Sequence, residues 1–404
     1  MNLLKEGIEK SFVIKTSESR KITIDGHTEA YPVYKVNLDY LFYNDQNDRI
    51  ATWISQYKAD NSIMKIDIIN LQQYNSIIQD FIVKSNPDQI KKTQTNIELV
   101  DQREPGVVLA DGRIIDGNRR FTCLRNLAKE NQRFNFFETI ILEKNLENNA
   151  KQIKMLELMI QHGEESKVDY NPIDRLVGVY NDIVENQLLT AKDYVKCTNV
   201  LENEINKQIE LAKLLVEFLE IINAPKQFHI ARDLDLYGPL VELQGILKKI
   251  KTKNEKEEIK CAVFTNFLMK PHNDMTRFIR KIKSVASSEF LPDFLEEQMV
   301  IAEKVLEKLP DVGQVTRKVI NDVFRSDEDT KAELERSLDK AEMKAKARET
   351  RNRPLQTLEK VSDILETIDI NIFTKLNEEQ ISSILSQVDK LEEKLNAIKE
   401  STNV

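Results

Sequence analysis

At 404 residues, 41% hydrophobic and 31% charged, the chain is longer than one ordinary core organises, and it suits roughly two to four domains under a well-solvated surface. The net charge of −8 excludes a uniformly basic nucleic-acid coat while leaving room for local basic patches. Three cysteines without paired spacing and four dispersed histidines give neither a disulfide framework nor a zinc pattern. No apolar run of about 18 residues reads as a membrane span, and Met1–Glu6 has no signal-peptide core, so a cytoplasmic location is expected.

Only ten glycines and ten prolines point to a helix-rich chain. Residues 1–30 are polar and weakly patterned and read as an N-terminal extension. Tyr31–Val36 alternates like a short strand, and Asn44–Arg49 is a polar turn. Ile50–Tyr57 and Leu71–Val83 follow as helices, the second with Leu71, Tyr74, Ile77, Ile78 and Phe81 on one stripe. Pro105–Ala110 is a short apolar strand, Asp111-Gly112 a hairpin turn and Arg113–Ile115 the return strand. After a turn at Gly117, Phe121–Asn131 reads as a helix, Phe137–Leu142 as a strand and Ala150–His162 as a helix. Residues 31–165 alone mix strands with helices, so the predicted fold class is an α+β N-terminal domain followed by a mostly α-helical half.

From Asn171-Pro172 onward the pattern is helical. Pro172 suits a first helical position, and Thr190 caps a helix beginning near Ala191. Helical segments are expected over 201–222 and 225–250, Lys248–Lys260 as a charged connector and 262–325 as a further helical block. Lys331–Arg353 reads as a linker or long exposed helix. Ile381, Ile384, Val388, Leu391, Leu395 and Ile398 have coiled-coil seam spacing, behind a helix start at Asn377. Leu355, Leu358, Val361, Leu365 and Ile368 form a second stripe. Together they predict a helical hairpin, or a homodimer through 355–399. The expected divisions are therefore 31–165, 166–225, 226–330 and 331–404 after the extension.

The chemistry concentrates at Asp116-Gly117-Asn118-Arg119-Arg120. Gly117 allows a tight turn and close backbone approach, the helix start behind it offers free N–H groups to an anion, and the arginines add forked donors suited to phosphate. Alternatively, the same arginines pair with Asp111, Asp116 or Glu104.

The run Gly112–Leu124 resembles the Gly-x-Arg-Arg box of the ParB/sulfiredoxin superfamily. Flanking pieces follow that family's order: Tyr31–Arg49 is similar to its first strand and Asn-x-Arg box, and Glu104–Leu109 to its Pro-hydrophobic strand. Phe137–Leu142 is similar to the strand after the box helix, and Ile153–Ile160 with Asp169–Asp174 to the run leading into ParB's DNA-binding part. The resemblance covers about 31–225. It implies a nucleoside triphosphate (CTP or ATP) with Mg2+, phosphates at Asp116, Gly117, Asn118, Arg119 and Arg120, Asn47 and Arg49 approaching from the first box, and a dimeric, nucleotide-responsive DNA-binding protein, nucleoid-associated if it binds DNA.

Where ParB carries Glu-Asn-x-x-Arg this chain has Gly163, Glu164 and Lys167. Glu164 and Glu165 are then the catalytic candidates, Glu164 the metal ligand, and Lys167 the replacement for the arginine. Asn118 stands where sulfiredoxin has its catalytic cysteine, which argues against sulfinic-acid reduction, and Cys123 reads as packed. For DNA, Thr190–Lys196 and Glu202–Leu219 have helix-turn-helix spacing, with Asn203, Asn206, Lys207 and Gln208 as base-reading candidates beside the opposing charges of Glu202, Glu204 and Glu210. Arg277–Lys283 and Lys340–Arg353 are further basic clusters. The competing readings are a metal-dependent nuclease or nucleotide-hydrolysing or phosphotransfer enzyme of the same superfamily, and a helical scaffold acting through protein partners.

Overall fold

A computed structural model describes residues 2–24, 27–144, 146–163, 171–198 and 200–402. Five strands form one mixed sheet in the order β1-β2-β5-β3-β4: β1 (Val13–Ile24), β2 (His27–Asn37), β3 (Gly106–Leu109), β4 (Ile114–Asp116) and β5 (Phe136–Leu142). β1, β2 and β5 pair antiparallel, β5 and β3 parallel, and β3 and β4 antiparallel. The stretch expected to be an extension is thus an edge strand. Most β1 side chains are exposed or half-buried, with only Val13, Arg20 and Ile22 buried, so it lacks the apolar alternation that marks a strand in sequence.

Alternation splits the inner strands between two cores. Val108, Phe137 and Ile141 face one side, with α1 (Ala51–Asp60), α2 (Leu71–Ser85), α3 (Pro87–Val100) and α4 (Asn118–Ala128). Val107, Leu109, Ile140 and Leu142 face the other, against Ile153, Leu156 and Ile160 of α5 (Leu146–Gly163). α3 had no counterpart in the sequence reading. Its sparse apolar positions, Ile90 and Ile97, lie among polar residues behind an Asn86 cap with Pro87 at the first position.

The helical half runs through α6 (Pro172–Val179), α7 (Ala191–Thr198), α8 (Glu202–Ile221), α9 (Phe228–Asp233), α10 (Tyr237–Leu247), α11 (Lys253–Met269), α12 (Met275–Val285), α13 (Leu291–Leu306) and α14 (Arg317–Val319). Phe218, Phe264 and Phe267 meet at the centre of its core. Most of the expected connector 248–260 is instead the capped start of α11: the Thr252 hydroxyl accepts from Glu255 N–H, and the charged first turns lie outside the core. Thr190 and Asp193 cap α7 reciprocally, as the sequence indicated.

The chain divides into two compact units, Met1–Glu342 and Met343–Val404. α15 (Glu328–Glu366) is one 39-residue helix where a linker or long helix was expected, and α16 (Glu378–Thr402) starts at a capping box between Asn377 and Gln380. In the second unit the seam residues Ile381, Val388, Leu395 and Ile398 are exposed, and Leu391 is half-buried. No described helix is long and apolar enough to cross a membrane.

Candidate ligand-binding cleft

The β3–β4 hairpin aims the chain at the site. Asp111 accepts from Arg113 N–H, and Gly112 has φ +98°, with its missing Cβ facing the Tyr40 carbonyl. β4 ends at Asp116, and Gly117, again at φ +98°, swings the chain directly into α4. A Cβ on Gly117 would lie 2.7 Å from the Phe137 ring. No side chain caps α4, which leaves its first amides without a side-chain acceptor, and Gly117, Asn118 and Arg119 at that end line the cleft.

The five box residues divide the work. Asp116 is buried and accepts from Arg120 Nη2 at 2.9 Å and Arg20 Nη1 at 3.2 Å. Arg120 Nη1 also donates to the Glu104 carbonyl at 2.9 Å, and Arg20 to that of Pro105. Arg120 therefore braces the box and is not among the residues lining the cleft, which corrects the expectation that both arginines meet phosphate. Gly117, Asn118 and Arg119 do line it, with one edge of Asp116. Cys123 is fully buried behind the box, its thiol pushed up to about 12 by burial against the opposing pull of Arg119, which fits the packed role expected of it.

The cleft holds about 140 Å3 and gathers residues from six stretches of the chain. Asn47 and Arg49 come from the first box, as expected. Asn47 Oδ1 is engaged, accepting from Arg49 N–H at 3.0 Å. Trp53 of α1, Ile82 of α2 and Ile90 of α3 form an apolar wall. Glu157, Ile160 and Gln161 come from α5, Asn171 and Asp174 from the start of α6, and Arg232 from α9. Arg232 is fixed: Nη1 donates to Thr52 Oγ1 at 3.2 Å, Nη2 to Gln56 Oε1 at 2.8 Å and to Asp233, and its guanidinium lies 4.0 Å over the Trp53 ring.

Sequence reading missed Trp53, Glu157, Gln161, Asp174 and Arg232 as site residues. A signal existed for two of them. Lys154, Glu157 and Gln161 recur at i, i+3 and i+7 on an otherwise apolar helix, a polar stripe that needs a partner. Arg232 arrives by tertiary packing and has no local mark.

Beneath the cleft lies a buried charge cluster. Lys154 Nζ is 2.8 Å from Asp48, 3.6 Å from Asp182 and 3.7 Å from Glu157, and Asp182 also accepts from the Tyr194 hydroxyl. Burial opposes the lysine's charge, but the three carboxyls outweigh it and hold its pKa above the ordinary value. One cation cannot satisfy three carboxylates. Glu157 is pushed up to about 7 by burial, with Asp48 and Asp182 adding to the rise and Lys154 opposing it. Asp182 rises to about 7 through burial and Asp48. Asp174, whose Oδ1 accepts from Thr52 N–H at 2.8 Å, also rises to about 7, chiefly through burial.

Glu164, Glu165 and Lys167 lie outside the described residues. Among the described residues, no group of three or more His, Cys, Asp and Glu side chains is arranged to hold a metal. Of the base-reading candidates, Asn203, Asn206 and Lys207 are exposed on α8, with Lys207 paired to Glu204 at 3.1 Å. Gln208 is only 8% exposed and is removed from that role, because it lies on the inward stripe of α8 with Ile205, Leu211 and Ala212. The basic face of α12 is largely neutralised, Arg280 by Glu242 and Lys281 by Asp339.

No protein-family model, curated protein or solved structure matches the chain. The function is therefore argued from the cleft itself.

Proposed function

We propose that the cleft binds a nucleoside triphosphate, phosphates at the Gly117 turn, and that the chain is a nucleotide-responsive DNA-binding protein. The observation that carries the ligand reading is the meeting of Arg49, Arg119 and Arg232, from three distant stretches, at an uncapped helix start. Forked guanidinium donors and helix N–H groups both favour phosphate oxygens, and Gly117 lets them come close. The balance of charge supports it. Asp116 is already matched by Arg20 and Arg120, and burial raises Glu157 and Asp174 to about 7, which lessens the negative charge set against an anion on the acidic side of neutrality. The same features support binding more than turnover. Mg2+ would arrive with the phosphates, keeping most of its waters.

The DNA half rests on the α7–α8 succession and on the motif order noted in the sequence, with Asn203, Asn206 and Lys207 as the proposed contacts. Self-association through 355–399 is proposed from the exposed seam of α16. The test is a thermal-shift screen of the four ribonucleoside triphosphates, with and without Mg2+ and DNA, since a ligand of the native state raises its melting temperature. A nucleotide-dependent rise is expected, lost in Arg119→Ala, together with DNA binding that weakens with salt. A protein that answers neither nucleotide nor DNA would sink the proposal.

A further inference from the structure

The cleft is larger and more mixed in character than a phosphate needs. Its volume of about 140 Å3 is room for roughly five water molecules at ~30 Å3 each, the scale of a cavity that accepts one small aromatic ring. Part of its lining is apolar: Trp53, Ile82 and Ile90 from α1–α3 offer nothing to a hydrated anion. There the Arg232 guanidinium is held 4.0 Å over the Trp53 ring by Thr52, Gln56 and Asp233. The result is a rigid, planar, cationic deck, formed without cost at the moment of binding because its rotamers are already fixed.

Two further atoms set what the ligand must carry. Gln161 Oε1 and Asn118 Oδ1 both belong to cleft-lining residues, are inaccessible to solvent, and have no hydrogen-bond partner. Gln161 Nε2 donates to Glu157 Oε1 at 3.1 Å, which leaves its Oε1 as the acceptor without a donor among the described residues. A buried acceptor without a donor is costly, and ionised phosphate has no donor to give. N–H or O–H groups on the same ligand would supply donors that its phosphates lack.

We infer that the apolar part of the cleft is a ring-binding subsite, in which a nucleobase packs against the Trp53–Arg232 pair while Gln161 and Asn118 accept hydrogen bonds from base N–H or ribose O–H groups. The inference rests on the phosphate reading above and adds the recognition of the nucleoside. Trp53 and Arg232 are then the residues that separate nucleotides from other polyphosphates. Stacking on an aromatic face tolerates any base, so the deck selects for a nucleotide, and the choice among bases falls to the amides.

Trp53 is the chain's one tryptophan, so intrinsic fluorescence reads this site directly. Full-length protein is titrated with each ribonucleoside triphosphate, with inorganic tripolyphosphate and with ribose 5-phosphate. At least one nucleotide is expected to change Trp53 emission and to bind ~10-fold or more tightly than either control. In Trp53→Leu, followed by calorimetry, that advantage over tripolyphosphate disappears while tripolyphosphate affinity is kept. Arg119→Ala weakens nucleotide and tripolyphosphate alike. Equal affinity of wild-type protein for nucleotides and tripolyphosphate overturns the ring subsite and leaves the phosphate site standing, and this comparison needs no variant to fold. An unchanged nucleotide advantage in Trp53→Leu overturns the role of the deck. Absence of binding by nucleotides and tripolyphosphate together overturns the phosphate reading, and the subsite with it.

Discussion

Asp174 offers a sharp test of how the cleft is balanced. Its carboxyl is 2% exposed, accepts from Thr52 N–H at 2.8 Å, and has its pKa raised by burial from 3.8 to about 7. The folded chain therefore holds a proton that the unfolded chain has lost between about pH 4 and pH 7. A group of this sign contributes most stability below its unfolded pKa, loses it as pH rises through the folded value, and contributes a constant penalty above. Each tenfold change in proton affinity is ~1.36 kcal/mol, so the shift corresponds to ~4 kcal/mol between acid and alkaline limits, an upper figure because local relaxation lets water reach the ionised form. Asp174→Asn keeps an oxygen for Thr52 and removes the titration. It is expected to gain up to ~4 kcal/mol over wild type at pH 8.5 and little at pH 4.5. Urea unfolding of both proteins across that range measures the difference. A gain that is the same at both ends, or a loss growing with pH, would show that burial does not set the charge state of Asp174.

Other outcomes follow from the same geometry. Ionisation of Glu157 and Asp174 near pH 7 sets negative charge against the anion, so nucleotide affinity should fall ~10-fold or more between pH 6 and pH 8 by calorimetry, with a shallower fall in Asp174→Asn. Arg120→Ala leaves buried Asp116 to Arg20 alone and should destabilise by ~1–3 kcal/mol in denaturant melts; wild-type stability would remove the bracing role. Gly117→Ala places a Cβ at φ +98° against Phe137 and should cost at least ~1–3 kcal/mol; wild-type stability would remove the strain argument. Leu391→Asp should lower the molecular mass in light scattering if the α16 seam joins two copies, and an unchanged mass would exclude that role.

Much of the frame was legible because local chemistry and burial agreed. The Asp111-Gly112 hairpin, the Gly117 turn into α4, the stripe of α2 and the caps of α6, α7 and α16 each carry their own signal. β1 did not, because an edge strand with side chains in water needs no apolar period; its one deep contact with the site is polar, Arg20 reaching Asp116. The start of α11 hid for the same reason, a helix whose first turns pack against little. The box was readable as an anion site, but not the division between Arg119 and Arg120, which differ by about 100° around the helix and so face the cleft and Glu104 respectively. Trp53 and Arg232 were invisible as a pair because 179 residues separate positions that tertiary packing brings within 4.0 Å.

Lys154 bears on how such a chain can change over generations. Its ammonium is the cation around which Asp48, Asp182 and Glu157 are assembled, on segments far apart in the chain. A neutral residue at 154 alone strands three acids in the interior, and loss of any one acid alters the protonation of the other two. A substitution at any one of the four positions is therefore expected to need a second that compensates it. Because Glu157 also lines the cleft, substitutions made for the sake of the core are felt by the ligand, and selection on ligand recognition reaches into the core.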